Sequence, residues 1–226
     1  MSYAKLILFD IDGTLVDTGG AGARSWAWAF ERQFGRRVDI AEHSTAGMTD
    51  PAIARVTFTE AMGREPTAEE LMRLMYSYQA VLPDYVASSP GYRVLDGVGE
   101  LLERLTGAGI LLGLTTGGLE PVAHAKLGRG QLNHFFAVGG YGSDSEDRVV
   151  LTRAAVDRAR RMLAGPLDLG EVFVVGDTPL DIAAAEGVGA VSVGVASGRY
   201  DVDELSAAGA DHVLASLADS FPGEAA

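Results

Sequence analysis

Two carboxylates, Asp10 and Asp12, follow an apolar run near the start of the chain. Residues 6–9 read Leu-Ile-Leu-Phe, which predicts a strand buried on both faces. Gly13 then allows a sharp turn. Buried carboxylates are costly unless a cation or hydrogen bonds compensate them, so the pattern indicates a divalent metal, and Mg²⁺ suits carboxylates best. The plainer reading of this stretch alone is a strand followed by an acidic turn.

Two later apolar runs, residues 110–114 and 172–175, also end in polar residues or glycine. The residues that follow them are Thr116, Gly117, Asp177 and Asp181. Because open α/β sheets keep their sites at the carboxyl ends of strands, these groups are expected at one edge. Taken singly, each has a plainer reading as a helix cap, a first-turn residue or a strand-end hydroxyl. Three strands that all end in such chemistry favour a common site.

The elements that must position these groups alternate in type from Val98 onward. Apolar runs and helical periodicity predict helices at about 98–108, 119–128, 149–163 and 182–186, and strands at 110–114, 135–138, 172–175 and 191–193. This alternation predicts an α/β fold with a parallel sheet and helices on both faces.

Residues 17–89 interrupt this pattern, because they contain no clear strand. Helical spacing of apolar residues predicts one helix over about 23–34 and another from Leu71, behind a capping box at Thr67, interrupted by Pro83. The segment is too large to be a loop. The residues at its two ends, 17–20 and 88–91, are rich in glycine and turn-forming residues, which favours hinges there.

The motifs and their order resemble the haloacid dehalogenase superfamily, and within it the capped small-molecule phosphatases. The matching features are D-x-D-G-T at residues 10–14, the strand-end Thr116, and G-D-x-x-x-D at residues 176–181. The resemblance covers essentially the whole chain. It implies a Rossmann-like core with an all-helical cap domain inserted after the first strand. The implied boundaries are 1–16 and 91–226 for the core and 17–90 for the cap.

The resemblance also implies catalytic roles. Asp10 would attack phosphorus and form an aspartyl-phosphate. Asp12 would protonate the leaving oxygen and then deprotonate the water that releases phosphate. Thr116 and the amide of Gly117 would hold the phosphoryl group.

Mg²⁺ is the cofactor that the resemblance implies. Its ligands would be Asp10, the backbone carbonyl of Asp12, and Asp177. Asp181 would act through a water molecule or orient the other ligands.

One feature departs from the family, which usually presents a lysine followed by proline after the third core strand. Residues 142–149 contain no lysine, and Arg148 stands about where it is expected. A guanidinium can pair with phosphate through two hydrogen bonds. Lys126, on the helix after Thr116, is the competing candidate, and we favour it slightly because a lysine is a flexible point charge. It lies roughly 10 Å along that helix, so only an extended side chain and a tilted helix would bring it to the site.

Composition restricts the partners. The 226 residues are enough for one large domain or two small ones, and the net charge of −13 would repel nucleic acid and anionic membrane. The chain contains no cysteine, which is compatible with a reducing cytoplasm. No signal-type segment or long apolar run appears, so a soluble cytoplasmic protein, a monomer or homodimer, is the expectation.

The leading hypothesis is a Mg²⁺-dependent phosphatase acting on a small phosphorylated metabolite, similar to phosphoglycolate phosphatases. A phosphomutase similar to β-phosphoglucomutase and a non-catalytic binding protein on the same fold are the alternatives. A dehalogenase would lack Asp12, and a phosphonate hydrolase would need a lysine within residues 17–89, which contain none. Substrate choice would fall to the segment 47–50, which includes Thr49, and to Arg24, which could meet a second anionic group.

Overall fold

Strands form where the apolar runs predict them, with a few additions. The computed structural model describes residues 4–163 and 165–223. The strands are Leu6–Phe9 (β1), Val16–Thr18 (β2), Tyr92–Val94 (β3), Leu111–Thr116 (β4), Val138–Tyr141 (β5), Val172–Gly176 (β6), Val191–Val195 (β7) and His212–Leu214 (β8). The helices are Ala21–Phe34 (α1), Asp50–Met62 (α2), Ala68–Ser88 (α3), Val98–Gly107 (α4), Glu120–Arg129 (α5), Arg148–Met162 (α6), Pro179–Val188 (α7) and Val202–Ala207 (α8).

Six strands form one parallel sheet in the order β5-β4-β1-β6-β7-β8. The fully buried β1 lies in its middle, paired with β4 on one side and β6 on the other. One apolar core contains Leu101 of α4 and Leu127 of α5, and another contains Ala155 of α6 and Ala185 of α7. The α/β prediction is therefore confirmed, with the strands that carry the motifs side by side.

Helices α1, α2 and α3 follow one another between β2 and β3, and they build a core of their own. Its large members are Trp26, Phe30, Phe58, Leu74 and Tyr78. Leu119 and Val122, at the start of α5, belong to the same core, so the inserted helices pack against the site end of the sheet. The division at residues 17 and 90 into cap and core domains stays a prediction.

The ends of this inserted segment are paired rather than loose. Val16 and Thr18 of β2 pair antiparallel with Val94 and Tyr92 of β3. Gly19 has φ +59°, and a Cβ there would lie 2.5 Å from the backbone carbon of Gly91. Glycine at these positions therefore allows two chain segments to cross in contact.

Other sequence-based boundaries also differ. Helix α3 continues through Pro83, because Leu82 and Val86 are buried in the core of the inserted helices and offset the lost hydrogen bond. The strand predicted at 135–138 begins only at Val138. A Cβ on Gly140 would lie 1.9 Å from the Leu151 carbonyl oxygen, so glycine is required where α6 packs on β5.

Five helices and strands lie where none was predicted, namely α2, α8 and the short strands β2, β3 and β8. Residues 50–62 lack a clear apolar stripe, yet they form α2, which Thr49 caps and Gly63 ends. Helix α8 and strand β8 extend the fold beyond the last predicted strand. Among the described residues, no helix combines the length and the apolar character needed to cross a membrane.

Candidate active site

The carboxyl ends of the three central strands bring the predicted residues together. Asp10 follows β1, Thr116 ends β4 and Asp177 follows β6. All three side chains are buried, with 6%, 3% and 3% of their surface exposed. Because β1 lies between β4 and β6, the strand order itself places the three groups around one point.

An acidic cluster lies at this edge. Oxygens of Asp10, Asp177 and Asp181 all lie within 4.8 Å of one another. The Thr14 hydroxyl donates to Asp177 Oδ1 at 3.2 Å and orients that carboxylate. Gly13 has φ +81°, and a Cβ there would lie 2.5 Å from Asp177 Oδ2, so only glycine lets the turn pass so close. Hard oxygen donors in a buried cluster fit Mg²⁺.

The carboxylates of this cluster differ in how many of their oxygens already have hydrogen-bond or ion-pair partners in the protein. Asp181 Oδ2 accepts hydrogen bonds from the Thr178 amide at 3.1 Å and hydroxyl at 2.7 Å, and its Oδ1 pairs with Arg148. Both of its oxygens therefore have partners, which fits a role through water rather than direct ligation. Asp10 and Asp177 are the better placed ligands. The Asp12 side chain lies outside the cluster, so its predicted part rests on its main-chain carbonyl.

Arg148 is the cation beside Asp10. It is buried at the start of α6, and its Nη2 lies 3.3 Å from Asp10 Oδ1 and also contacts Asp181. Its Nη1 donates to the Gly47 carbonyl at 3.0 Å. Its buried Nε has no hydrogen-bond partner, so this donor remains available to a ligand such as a phosphoryl oxygen.

Lys126 also reaches the site, but at a different carboxylate. Its Nζ lies 2.5 Å from Asp12 Oδ2, and the side chain is buried although it stands well inside α5. Helix α5 is therefore oriented so that an extended Lys126 side chain reaches the site, as its candidacy required. The sequence slightly favoured Lys126 as the cation next to Asp10. In the structure Arg148 contacts Asp10 instead, because α6 starts directly at the strand ends.

Burial dominates the electrostatics of the acidic cluster. The pKa of Asp10 is raised to about 7, first by burial and then by the charge of Asp181, while Arg148 lowers it. Burial also raises the pKa of Asp177 to about 8, and Asp10 and Asp181 add to this. Burial lowers the pKa of Lys126, yet the charges of Asp12 and Asp50 outweigh it and the net shift is upward.

These shifts predict a pH-dependent response to Mg²⁺. Unfolded aspartate has an ordinary pKa of 3.8, so the metal-free fold holds extra protons and loses stability as pH rises from about 4 to 8. Protons compete with the metal for the same oxygens. We expect thermal unfolding to show a larger Mg²⁺-induced rise in Tm at about pH 8.5 than at about pH 5.5. Asp177→Asn should weaken this difference, and an equal rise at both pH values would contradict it.

A cavity of about 380 Å³ opens onto these groups. Its wall includes Asp10, Asp12, Thr116, Gly117 and Arg148. The Thr116 hydroxyl accepts the Gly118 amide at 3.1 Å, so it is held at the end of β4. The predicted phosphate-binding groups therefore share one space with the acidic cluster.

The inserted segment supplies the remaining wall, and Gly47, Met48 and Asp50 of the predicted segment 47–50 line the cavity, whereas Thr49 and Arg24 do not. Thr49 caps α2 and donates to the Glu146 carbonyl at 3.3 Å, so it is buried away from the cavity wall. Arg24 donates to the Gly19 carbonyl at 2.8 Å and to the Ser89 hydroxyl at 3.0 Å. It therefore fastens the paired ends of the inserted segment and does not line the cavity.

Several wall residues carry no motif. Trp26 and Tyr78, whose rings stack with centroids 3.9 Å apart, belong to the core of the inserted helices and also line the cavity. Asp50 lies in the predicted segment 47–50, and its burial could not be foreseen from the residue type. Arg199 lines the cavity from the loop after β7, where no pattern points to it.

Known proteins are similar to this chain in sequence and in fold. The model of the haloacid dehalogenase-like hydrolase family matches residues 4–189. Tyrosine-protein kinase PtkA of Mycobacterium tuberculosis is 33% identical over 211 residues, which cover 89% of this chain and 66% of that protein. This chain thus spans just under two thirds of that relative's length.

Other relatives match over nearly their whole length. Phosphoglycolate phosphatase of Yersinia pestis is 28% identical over 222 residues, covering 96% of this chain and 91% of that protein. The crystal structure of CbbY from Rhodobacter sphaeroides in complex with phosphate superimposes with a TM-score of 0.77 at 20% identity, covering 96% of each chain, and shows the same fold. The chain belongs to the haloacid dehalogenase-like hydrolase family.

Proposed function

We propose that the chain is a Mg²⁺-dependent phosphatase that hydrolyses a small phosphorylated metabolite through an aspartyl-phosphate on Asp10. The contact of Arg148 with the buried Asp10, beside Asp177, is the observation that supports it most. In this proposal Asp10 is the nucleophile, Arg148 is the fixed positive charge and Asp177 is a metal ligand, all around one point. A phosphate ester resists nucleophiles because of its own charge, and such a site offsets that charge.

The proposed chemistry has two steps. In the first, an Asp10 oxygen bonds to phosphorus while the bond to the alcohol oxygen breaks, and Asp12 gives that oxygen a proton. In the second, water attacks phosphorus and gives a proton to Asp12, while the bond between phosphorus and the Asp10 oxygen breaks. This step releases phosphate and restores the Asp10 carboxylate. Lys126, 2.5 Å from Asp12, compensates the carboxylate charge that forms when the proton leaves.

Other groups position the phosphoryl group. Thr116 and the amide of Gly117 bind its oxygens, and Arg148 contributes the free Nε donor. Bound Mg²⁺, held by Asp10, Asp177 and the Asp12 carbonyl with Asp181 behind them, would supply Lewis-acid charge neutralisation. Residues 17–90 act as the cap that shields this space from bulk water.

The first test is phosphate release from a panel of small phosphate monoesters. We expect release with Mg²⁺ and its loss with EDTA, because Arg148 alone does not offset the three clustered carboxylates that would repel the phosphoryl group. The phosphomutase alternative predicts that glucose phosphates are isomerised faster than phosphate is released from them.

One relative is named a tyrosine-protein kinase. The same protein is therefore also incubated with ATP and a tyrosine peptide. Phosphotyrosine formation without ester hydrolysis would overturn the proposal, and so would a complete lack of hydrolysis across the panel.

A further inference from the structure

The part of the cavity wall that comes from residues 17–90 is uncharged or acidic. Its apolar members include Trp26, Ile40, Met48, Ile53 and Tyr78. Hydroxyl groups come from Thr18, Ser44 and Thr45. Among the described residues, this part of the wall contains no lysine, arginine or histidine, and its one carboxylate is Asp50. An organic group here therefore meets aromatic rings, aliphatic chains and hydroxyls.

Asp50 is held in place by the loop after β4. Its Oδ2 accepts the Leu119 amide at 2.9 Å, and its own amide donates to the Gly117 carbonyl at 2.8 Å. Gly118 lies close to both Thr116 Oγ1 and Asp50 Oδ2. A Cβ built on this glycine would lie 3.5 Å from the first oxygen and 3.7 Å from the second. A fixed carboxylate thus stands close to the phosphate-binding hydroxyl.

The charge of Asp50 is present near neutral pH. Burial raises its pKa to about 6, while Lys126 and the Leu119 amide lower it. At a working pH of about 7.5 the group is mostly ionised.

The cations near Asp50 are shared with other carboxylates, and the charge of Lys126 acts on both Asp12 and Asp50. Lys126 pairs with Asp12, and Arg148 pairs with Asp10 and Asp181. Arg199 follows Gly198, where a Cβ would clash with the Asp177 carboxylate. Arg199 itself lines the cavity.

We infer that the site selects phosphate monoesters whose organic part is uncharged and partly apolar, and that Asp50 rejects substrates with a second anionic group near the phosphate. This inference rests on the proposed phosphatase function and narrows its substrate class. It excludes as good substrates both phosphoglycolate, which carries a carboxylate, and sugar bisphosphates. A carboxylate beside the phosphate would meet the charge of the buried Asp50, and the nearby Lys126 already has two carboxylates, Asp12 and Asp50, to offset.

Matched substrate pairs test the inference. In the first pair, 2-hydroxyethyl phosphate and 2-phosphoglycolate differ by a hydroxymethyl group in place of a carboxylate. In the second, phenyl phosphate is compared with 4-carboxyphenyl phosphate. We expect the wild-type chain to favour the uncharged member of each pair by at least about tenfold in kcat/KM. This ratio needs no substitution, so it remains informative even if a variant folds poorly.

Asp50→Asn assigns the discrimination to one residue. The asparagine oxygen can still accept the Leu119 amide, so the loop is preserved while the charge is removed. We expect this variant to narrow the ratio by about tenfold, through faster turnover of the carboxylated members. Comparison with the wild-type chain cancels the different intrinsic reactivities of the esters. The control is Asp84→Asn on the exposed face of α3, which should leave the ratio unchanged.

The outcomes separate this inference from the function on which it rests. Equal or better use of phosphoglycolate by the wild-type chain overturns the inference alone. An Asp50→Asn variant that folds but slows both members of each pair equally overturns the role of Asp50. Absence of phosphate release from every ester overturns the proposed function and the inference together.

Discussion

Asp10→Asn is expected to lose at least about 10³-fold in kcat for phosphate ester hydrolysis, because the amide cannot take the place of the attacking carboxylate. The loss should be similar for activated and unactivated esters, since the nucleophile is needed with any leaving group. Steady-state phosphate release with Mg²⁺ measures it. A chase with labelled substrate, quenched in acid, should trap phosphate on the wild-type chain and none on the variant.

The structure provides a check that this loss is chemical. Burial raises the pKa of Asp10, so its charge is unfavourable in the metal-free fold, and asparagine should leave Tm at about pH 8 unchanged or higher. Asp84→Asn serves again as an exposed control with full activity expected. Substantial activity in a folded Asp10→Asn variant would rule out the covalent mechanism.

Arg148→Met is expected to reduce kcat/KM by about 10²- to 10⁴-fold for all esters, because it removes the fixed charge beside Asp10. It also leaves the buried Asp181 without its cation, so a loss of stability is expected as well. Arg148→Lys separates the two effects. A lysine retains the positive charge, yet it cannot contact Asp10, Asp181 and the Gly47 carbonyl together as the guanidinium does.

Lys126→Met is the matched comparison. Lys126 contacts Asp12, so its loss should impair mainly those esters whose leaving oxygen needs a proton. We expect Lys126→Met to retain most activity on p-nitrophenyl phosphate, whose leaving group is stable as an anion, and to lose activity on alkyl phosphates. The reverse pattern, in which Arg148 is dispensable and Lys126 is essential for both kinds of ester, would show that the proposed roles of the two cations are wrong.

The motif residues were predictable because each follows a strand whose apolar run is visible in the sequence. Parallel strands of one sheet end at the same edge, so Asp10, Thr116 and Asp177 had to meet if the α/β alternation was read correctly. The same reasoning places Asp181 one helical turn further on, at the start of α7. Local order along the chain was therefore sufficient for this half of the site.

The pairing of the cations, and the cavity wall that residues 17–90 supply, depended on contacts between segments distant in the chain. The sequence offered Lys126 and Arg148 as candidates for the cation near Asp10, with a slight preference for Lys126. Only the packing of α5 and α6 against the strand ends pairs Lys126 with Asp12 and Arg148 with Asp10. Arg24 was a reasonable candidate by charge, yet the Gly19 carbonyl after β2 and the Ser89 hydroxyl before β3 hold it elsewhere. Side-chain direction depends on tertiary packing, which residue type does not encode.

Local patterns in the sequence were enough to predict the strands of the sheet other than β8, and the acidic groups at its site edge, because strand burial and turn chemistry are local properties. The tertiary structure alone decided which cation faces which carboxylate, and that Asp50 is buried beside the phosphate-binding loop. It also decided that Trp26 and Tyr78 face a cavity as well as a core. These features arise where the inserted helices meet the sheet, and contacts between segments far apart in the chain leave no periodic pattern in either one.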